Sequence, residues 1–125
     1  MIDRQADGRA RMREVLGDPY FEAREKTASA FNAPVRQLSE ESAYSFVWGR
    51  PGLDRRTRSL LCVAMMAALG KATELRMHLR GALNNGCTVE EIQETLLQTG
   101  IYCGIPTALE STKIAEELLK QEGRL

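Results

Sequence analysis

His78 is the one histidine in the chain, and so the one side chain whose unperturbed pKa falls near neutrality. Glu74 stands four residues before it. On a helix that spacing puts both on one face, within reach of each other. A carboxylate beside an imidazole fixes its tautomer and raises its pKa, which suits a general acid or base. A buried histidine satisfied by a helical neighbour has the same spacing, so spacing does not separate the two readings. A second cluster runs Arg50-Pro51-Gly52-Leu53-Asp54-Arg55-Arg56-Thr57-Arg58. Its four guanidiniums surround a predicted helix N-terminus, whose amides also favour anions. Arg58 falls one turn into that helix, in the stripe of Leu61 and Cys62. An inward guanidinium there would grip a carboxylate through two parallel hydrogen bonds, although an internal or intersubunit ion pair would use the same position. Arg55 and Arg56 are expected in solvent. Tyr44 and Trp48, four apart just before the cluster, suit either a core or the wall of a pocket for a flat ring.

The thiols add little. Cys62, Cys87 and Cys103 are odd in number and lie far apart, which makes no disulfide framework. No two lie within four residues of each other, so neither a Cys-x-x-Cys redox pair nor a zinc knuckle is available. One histidine also excludes a multi-histidine metal site within the chain. Three free thiols are expected, with Cys103 as a small buried hydrophobe.

The elements that must position these groups read as helices. At 125 residues, with 43% hydrophobic and 27% charged, the expectation is one all-α domain over residues 1–125. No segment alternates apolar and polar residues for long, whereas helix punctuation is frequent. Residues 1–16 form a polar opening helix that is loosely packed, with only Met12, Val15 and Leu16 to bury. Asp18 caps a helix from Tyr20 to Phe31, with Pro19 in its first turn. A third runs from Pro34 to Trp48 and turns Val35, Leu38, Tyr44, Val47 and Trp48 inward. After the Gly49-Arg50-Pro51-Gly52 loop, Asp54 caps a helix to Leu69 that is apolar nearly all round and so demands burial on every side. The next, Glu74 to Asn84, carries Leu75, His78, Leu79, Ala82 and Leu83 on its inner stripe. Thr88-Val89-Glu90-Glu91 is a capping box, opening a helix with Ile92, Leu96, Leu97, Ile101 and Tyr102. A last helix spans about Thr107 to Gln121. About six helices result, without linker or repeat.

Charge narrows the partners. Seventeen acids balance seventeen bases, so no field of one sign draws nucleic acid or anionic lipid. Met1 to Gln5 carries charge where a signal peptide needs an apolar run. The least polar stretch, Leu60 to Leu69, is about half of what a bilayer crossing requires. A soluble, cytoplasmic protein is expected, with no nucleic-acid or membrane partner.

From Glu14-Val15-Leu16-Gly17 onward the sequence resembles the carboxymuconolactone decarboxylase family. The resemblance is strongest in Trp48-Gly49-Arg50-Pro51-Gly52-Leu53-Asp54-Arg55-Arg56-Thr57-Arg58-Ser59-Leu60-Leu61. It continues through Glu74-Leu75-Arg76-Met77-His78-Leu79-Arg80-Gly81-Ala82-Leu83-Asn84-Asn85-Gly86. Glu90-Glu91-Ile92-Gln93-Glu94-Thr95-Leu96-Leu97-Gln98 and Ile101-Tyr102-Cys103-Gly104-Ile105-Pro106 complete it. The resemblance implies an alkylhydroperoxidase D-like helical fold, trimers or hexamers, and decarboxylation of γ-carboxymuconolactone with no cofactor. Alkylhydroperoxidase D uses a Cys-x-x-Cys followed by a histidine. Aligning that histidine on His78 puts Lys71 and Glu74 where the cysteines would be, which removes the dithiol mechanism. Two segments depart from the decarboxylases. Tyr44-Ser45 stands where they typically show Trp-Gly, and Thr107-Ala108-Leu109-Glu110 where they usually read Ala-Ala-Asn. The alternatives are a paralogue that binds a small acid without turnover and, less favoured, a peroxidase-like redox enzyme. Within the decarboxylase reading, Arg58 with Arg50 holds a substrate carboxylate. His78, oriented by Glu74, donates a proton or a hydrogen bond, and Trp48 and Tyr44 wall the pocket.

Overall fold

The computed structural model describes all of residues 1–125, and every regular element in it is helical. Seven α-helices occur: α1 Arg4–Leu16, α2 Asp18–Glu25, α3 Ala33–Leu38, α4 Arg55–Leu69, α5 Ala72–Asn84, α6 Val89–Tyr102 and α7 Ile105–Gln121. A π-helix, Ser39–Val47, follows α3. The all-α class is as expected, but the helices number more than the six or so expected; one element is added because the segment read as one helix from Pro34 to Trp48 changes its winding at Ser39. The chain forms two compact units, Met1–Arg55 and Arg56–Leu125.

In the first unit, α1 starts where the Asp3 side chain accepts from the amide of Ala6 at 3.1 Å, a normal N-cap. Met12, Val15 and Leu16 are buried, as their types require. The apolar count misses two further anchors. Gly8 packs so closely on the π-helix that a Cβ there would overlap the carbonyl of Glu40. Arg9 reaches Glu40 at 3.1 Å and Glu25 at 2.6 Å. The next helix, α2, stops at Glu25 rather than Phe31. Asn32 explains the stop: its amide donates to the carbonyl of Thr27 at 2.8 Å and its Oδ1 accepts from the amide of Ser29 at 2.9 Å. Such local bonds offer the backbone an alternative to helix, and Phe31 is left exposed.

The π-helix corrects the expected inner face. Its wider turn is seen at its end, where the amide of Trp48 donates to Ala43, five residues back, at 2.9 Å. Glu40, Tyr44 and Trp48, at intervals of four, form the buried line. Val35 and Leu38 on α3, and Val47, all expected inside, are exposed instead; nine residues put Val35 on the opposite side of a helix from Tyr44.

In the second unit, α5 buries Leu75, His78, Leu79 and Ala82 on the expected stripe. The Thr88 capping box is complete. Its hydroxyl accepts from the amide of Glu91 at 3.0 Å, and the Glu91 carboxylate accepts from the amide of Thr88 at 2.9 Å. Val63, Leu79, Ile92, Leu96, Ala115 and Leu118 meet in one core. Polar ties reinforce it: Asn85 donates to the Ser59 hydroxyl at 2.9 Å, and Arg56 pairs with Glu91. Arg56 was expected in solvent and is half in it, as is Arg55, which pairs with Glu14 at 3.4 Å in the first unit.

The most apolar helix is not buried all round. Ser59, Val63 and Ala67 of α4 face the core, while Leu61, Met65 and Leu69 are exposed. Leu97, Ile101 and Tyr102 of α6, expected inside, are exposed too. A groove of about 620 Å³ runs along these helices, lined by Leu60, Leu61, Ala64, Met65, Tyr102 and Cys103. Periodicity marks a face as apolar; it does not say whether the chain itself covers that face. Cys103 is exposed rather than buried, because it lies just past the C-terminus of α6. All three cysteines are free thiols. No helix is long and apolar enough to cross a membrane.

Candidate functional site

The α5 stripe fixes His78 on the core side of its helix, where it is 8% exposed. Its Nδ1 is buried and has no hydrogen-bond partner. Leaving such an atom unsatisfied costs about 1–3 kcal/mol, and buried polar atoms without partners are rare. Burial lowers the His78 pKa to about 4, against the opposing charge of Glu74. The sequence expectation had Glu74 raising it. Glu74 is exposed, so water screens its charge, and desolvation of the imidazolium wins. His78 is therefore a neutral imidazole at physiological pH.

Arg58, one turn into α4, is half-buried with its Nε shielded from solvent. It lies near enough to Cys62 for its charge to oppose the effect of burial, which pushes that thiol up. These residues all belong to the second unit.

Tyr44, Trp48 and Arg50 belong to the first unit. The two aromatic rings are buried and stacked, centroids 6.0 Å apart and planes 7° from parallel. The Arg50 guanidinium sits 5.4 Å over the Phe46 ring, which holds the cation in place. Arg4, Asp7, Arg11, Phe46 and Arg50 line a recess of about 350 Å³. Sequence reasoning missed the polar residues of α1 behind this arrangement, Asp7 and Arg11 among them. One available signal was the interval of four between Asp7 and Arg11, which pairs them on one face of α1.

A stability consequence follows from His78. Its unfolded value is near 6.5 and its folded value about 4, so between these the unfolded chain binds the extra proton. Stability therefore falls as pH drops from 6.5 to about 4, by at most about 3 kcal/mol, and His78 adds no slope below that. Urea unfolding at intervals across this range should show the slope in the wild type and lose much of it in His78→Leu. A variant with the wild-type slope would assign the loss to other groups.

The chain is similar to known proteins. The carboxymuconolactone decarboxylase family matches residues 35–117. A 4-carboxymuconolactone decarboxylase from Acinetobacter baylyi is 40% identical over 110 residues, which cover 88% of this chain and 82% of that protein. A nitrosuccinic acid decarboxylase from Metarhizium robertsii is 39% identical over 107 residues, 86% of this chain and 75% of that protein. A family match over most of the chain and two relatives aligned along nearly all of it lead to one conclusion: the chain belongs to the carboxymuconolactone decarboxylase family.

Proposed function

We propose that the protein is a cofactor-independent carboxy-lyase that decarboxylates γ-carboxymuconolactone, or a close relative of it, during the cytoplasmic breakdown of aromatic compounds through β-ketoadipate. In this substrate the departing carboxylate sits on the ring carbon γ to the lactone carbonyl. When that C–C bond breaks, CO2 leaves and the electron pair moves through the ring double bond onto the lactone's carbonyl oxygen. A proton drawn from solvent then adds at the carbon α to the carbonyl, giving the enol-lactone. The substrate is its own electron sink, so the protein has only to hold it, stabilise the enolate oxygen and let a proton reach the α carbon.

Arg58 holds the side-arm carboxylate, and Arg50, in the other unit, is the second candidate for that task. Tyr44 and Trp48 wall the ring. His78 hydrogen-bonds the enolate oxygen as it gains charge, and Glu74 biases its orientation. The observation that carries this reading is the buried, neutral His78 with an unpartnered Nδ1. A neutral imidazole can donate one N–H to a forming oxyanion, and the pKa of about 4 favours that role over an imidazolium acid.

The relative named for nitrosuccinic acid favours a second substrate class. There, too, a carboxylate sits on a carbon whose electron pair can pass to oxygen, in that case the nitro group. Incubation with freshly generated γ-carboxymuconolactone and, separately, with nitrosuccinate should show loss of substrate with release of CO2 from one of them. Release from neither, by folded protein, would remove the decarboxylase reading.

The exposed Leu61, Met65, Leu69, Leu97 and Ile101 support assembly into a homotrimer or hexamer, since so large an apolar face in one chain calls for a partner surface. Sedimentation velocity at micromolar concentration should find the assembly, and a monomer would rule it out.

A further inference from the structure

We propose that Arg11 is a positioning residue for the Tyr44–Trp48 pair: by closing the end of the π-helix it sets where these two rings stand. In an α-helix the carbonyl of Tyr44 would accept from the amide of Trp48. Here that amide bonds to Ala43 instead, and Arg11 Nη1 donates to the carbonyl of Tyr44 at 3.1 Å and to that of Ser45 at 3.3 Å. Asp7, one turn earlier on α1, holds the guanidinium fork at 2.6 and 3.2 Å, and also accepts from the Ser45 hydroxyl at 2.8 Å. One helix thus grips the other through two carbonyls and a side chain, all between the two stacked aromatics. Gly49 makes room for the grip, since a Cβ there would overlap the Ser45 carbonyl and lie 3.0 Å from Arg11 Nη1. The far end of the π-helix has its own anchor, the Glu40 carboxylate in contact with Arg9 and Arg24. Arg11 is therefore the residue that acts at the aromatic end.

The consequence for catalysis rests on the reading that Tyr44 and Trp48 wall the substrate ring. Because the wall binds the ring but moves no proton, loosening it weakens binding more than chemistry.

Trp48 is the only tryptophan, so its emission reports this wall alone. The experiment compares Arg11→Gln, Arg11→Lys and Arg13→Gln in the full chain, at a temperature where circular dichroism shows each to be folded. Arg13, paired with Asp18 and Glu22, is the control. Arg11→Gln is expected to shift Trp48 emission to the red and to make it more quenchable by acrylamide. It should raise KM for the lactone about tenfold, the value of one charged hydrogen bond, with kcat within about threefold. Arg11→Lys, which keeps the charge but cannot span Asp7 and both carbonyls, should recover part of each change, and Arg13→Gln should match the wild type. Should Arg11→Gln not fold, Arg11→Lys carries the same test as a smaller change. Wild-type emission and quenching in the Arg11 variants would overturn the clamp, and altered emission with an unaltered KM would overturn its link to substrate. If the wild type itself does not turn over the lactone, that failure belongs to the proposed function, and Trp48 emission still decides on Arg11.

Discussion

Replacing His78 with leucine is expected to lower kcat by about 10²–10³-fold, the value of one donor to a forming oxyanion, while the folded protein becomes no less stable. The two effects share one cause. Nδ1 of His78 is buried without a partner, a cost of about 1–3 kcal/mol that leucine removes while filling most of the same space. Below pH 6.5 the gain grows, because the unfolded wild type takes up a proton that the folded protein resists down to about pH 4. A histidine kept for packing would behave in the opposite way, with lost stability and retained rate. Steady-state kinetics with the lactone, beside urea unfolding at pH 5 and pH 8, separates the two. A folded variant that retained more than about a tenth of wild-type kcat would end the assignment, since even general acid–base groups are typically worth 10²–10⁴-fold. The pH profile is a second discriminator. A neutral donor leaves kcat/KM flat between about pH 6 and 8, whereas an imidazolium acid of pKa about 4 would lose tenfold per unit over that range.

How much of this was legible beforehand depends on what each signal reports. The α5 stripe and the Thr88 box are local, set by residues three and four apart, and both stand as read. The position of His78 on the buried face was legible for the same reason. The direction of its pKa shift was not, because Glu74 was visible in the sequence and the surrounding burial was not. The segment from Val35 to Val47 was misread because its apolar residues were all turned inward, although Val35 and Tyr44, nine apart, fall on opposite sides of a helix. Its inner line of Glu40, Tyr44 and Trp48 includes a carboxylate, which no hydrophobic pattern selects. The ion pairs that tie Arg9 of α1 to Glu25 and Glu40 lie 16 and 31 residues apart, so they cannot be read from spacing at all. Leu97, Ile101 and Tyr102 were rightly read as apolar and wrongly placed inside this chain.

Glu40→Ala is expected to destabilise the protein by about 3–5 kcal/mol, because it strands cations that have little access to water. The Glu40 side chain is 1% exposed. Its Oε2 accepts from Arg24 at 2.8 Å and Arg9 at 3.1 Å, and its Oε1 from Gln5 at 3.0 Å. Burial alone would push this carboxyl up, but the hydrogen bonds from Gln5 and Arg24 and the charges of Arg24 and Arg9 outweigh it and hold it below its usual 4.5. Arg24 is only 10% exposed, so without Glu40 its charge has mainly Glu25, at 3.6 Å, to face. Arg9→Ala should cost far less, about 1 kcal/mol, since Arg9 is a third exposed. Joint replacement, Glu40→Met with Arg24→Met, should recover most of the loss, because it strands no charge. Thermal unfolding of the three variants decides the matter. A Glu40→Ala penalty below about 1 kcal/mol, or no recovery in the double variant, would mean the cluster is not an anchor. The sign with pH is fixed by the lowered carboxyl: its contribution is present above 4.5 and lost as pH falls through the folded value. Acid should thus weaken the wild type in two windows, from 6.5 to about 4 through His78 and below 4.5 through Glu40. Glu40→Ala should keep the first and flatten the second, which Asp7 and Glu25 share because hydrogen bonds from Arg11 and Arg9 hold them low as well. The part that is lost ties the acid end of the curve to the π-helix that carries Tyr44 and Trp48.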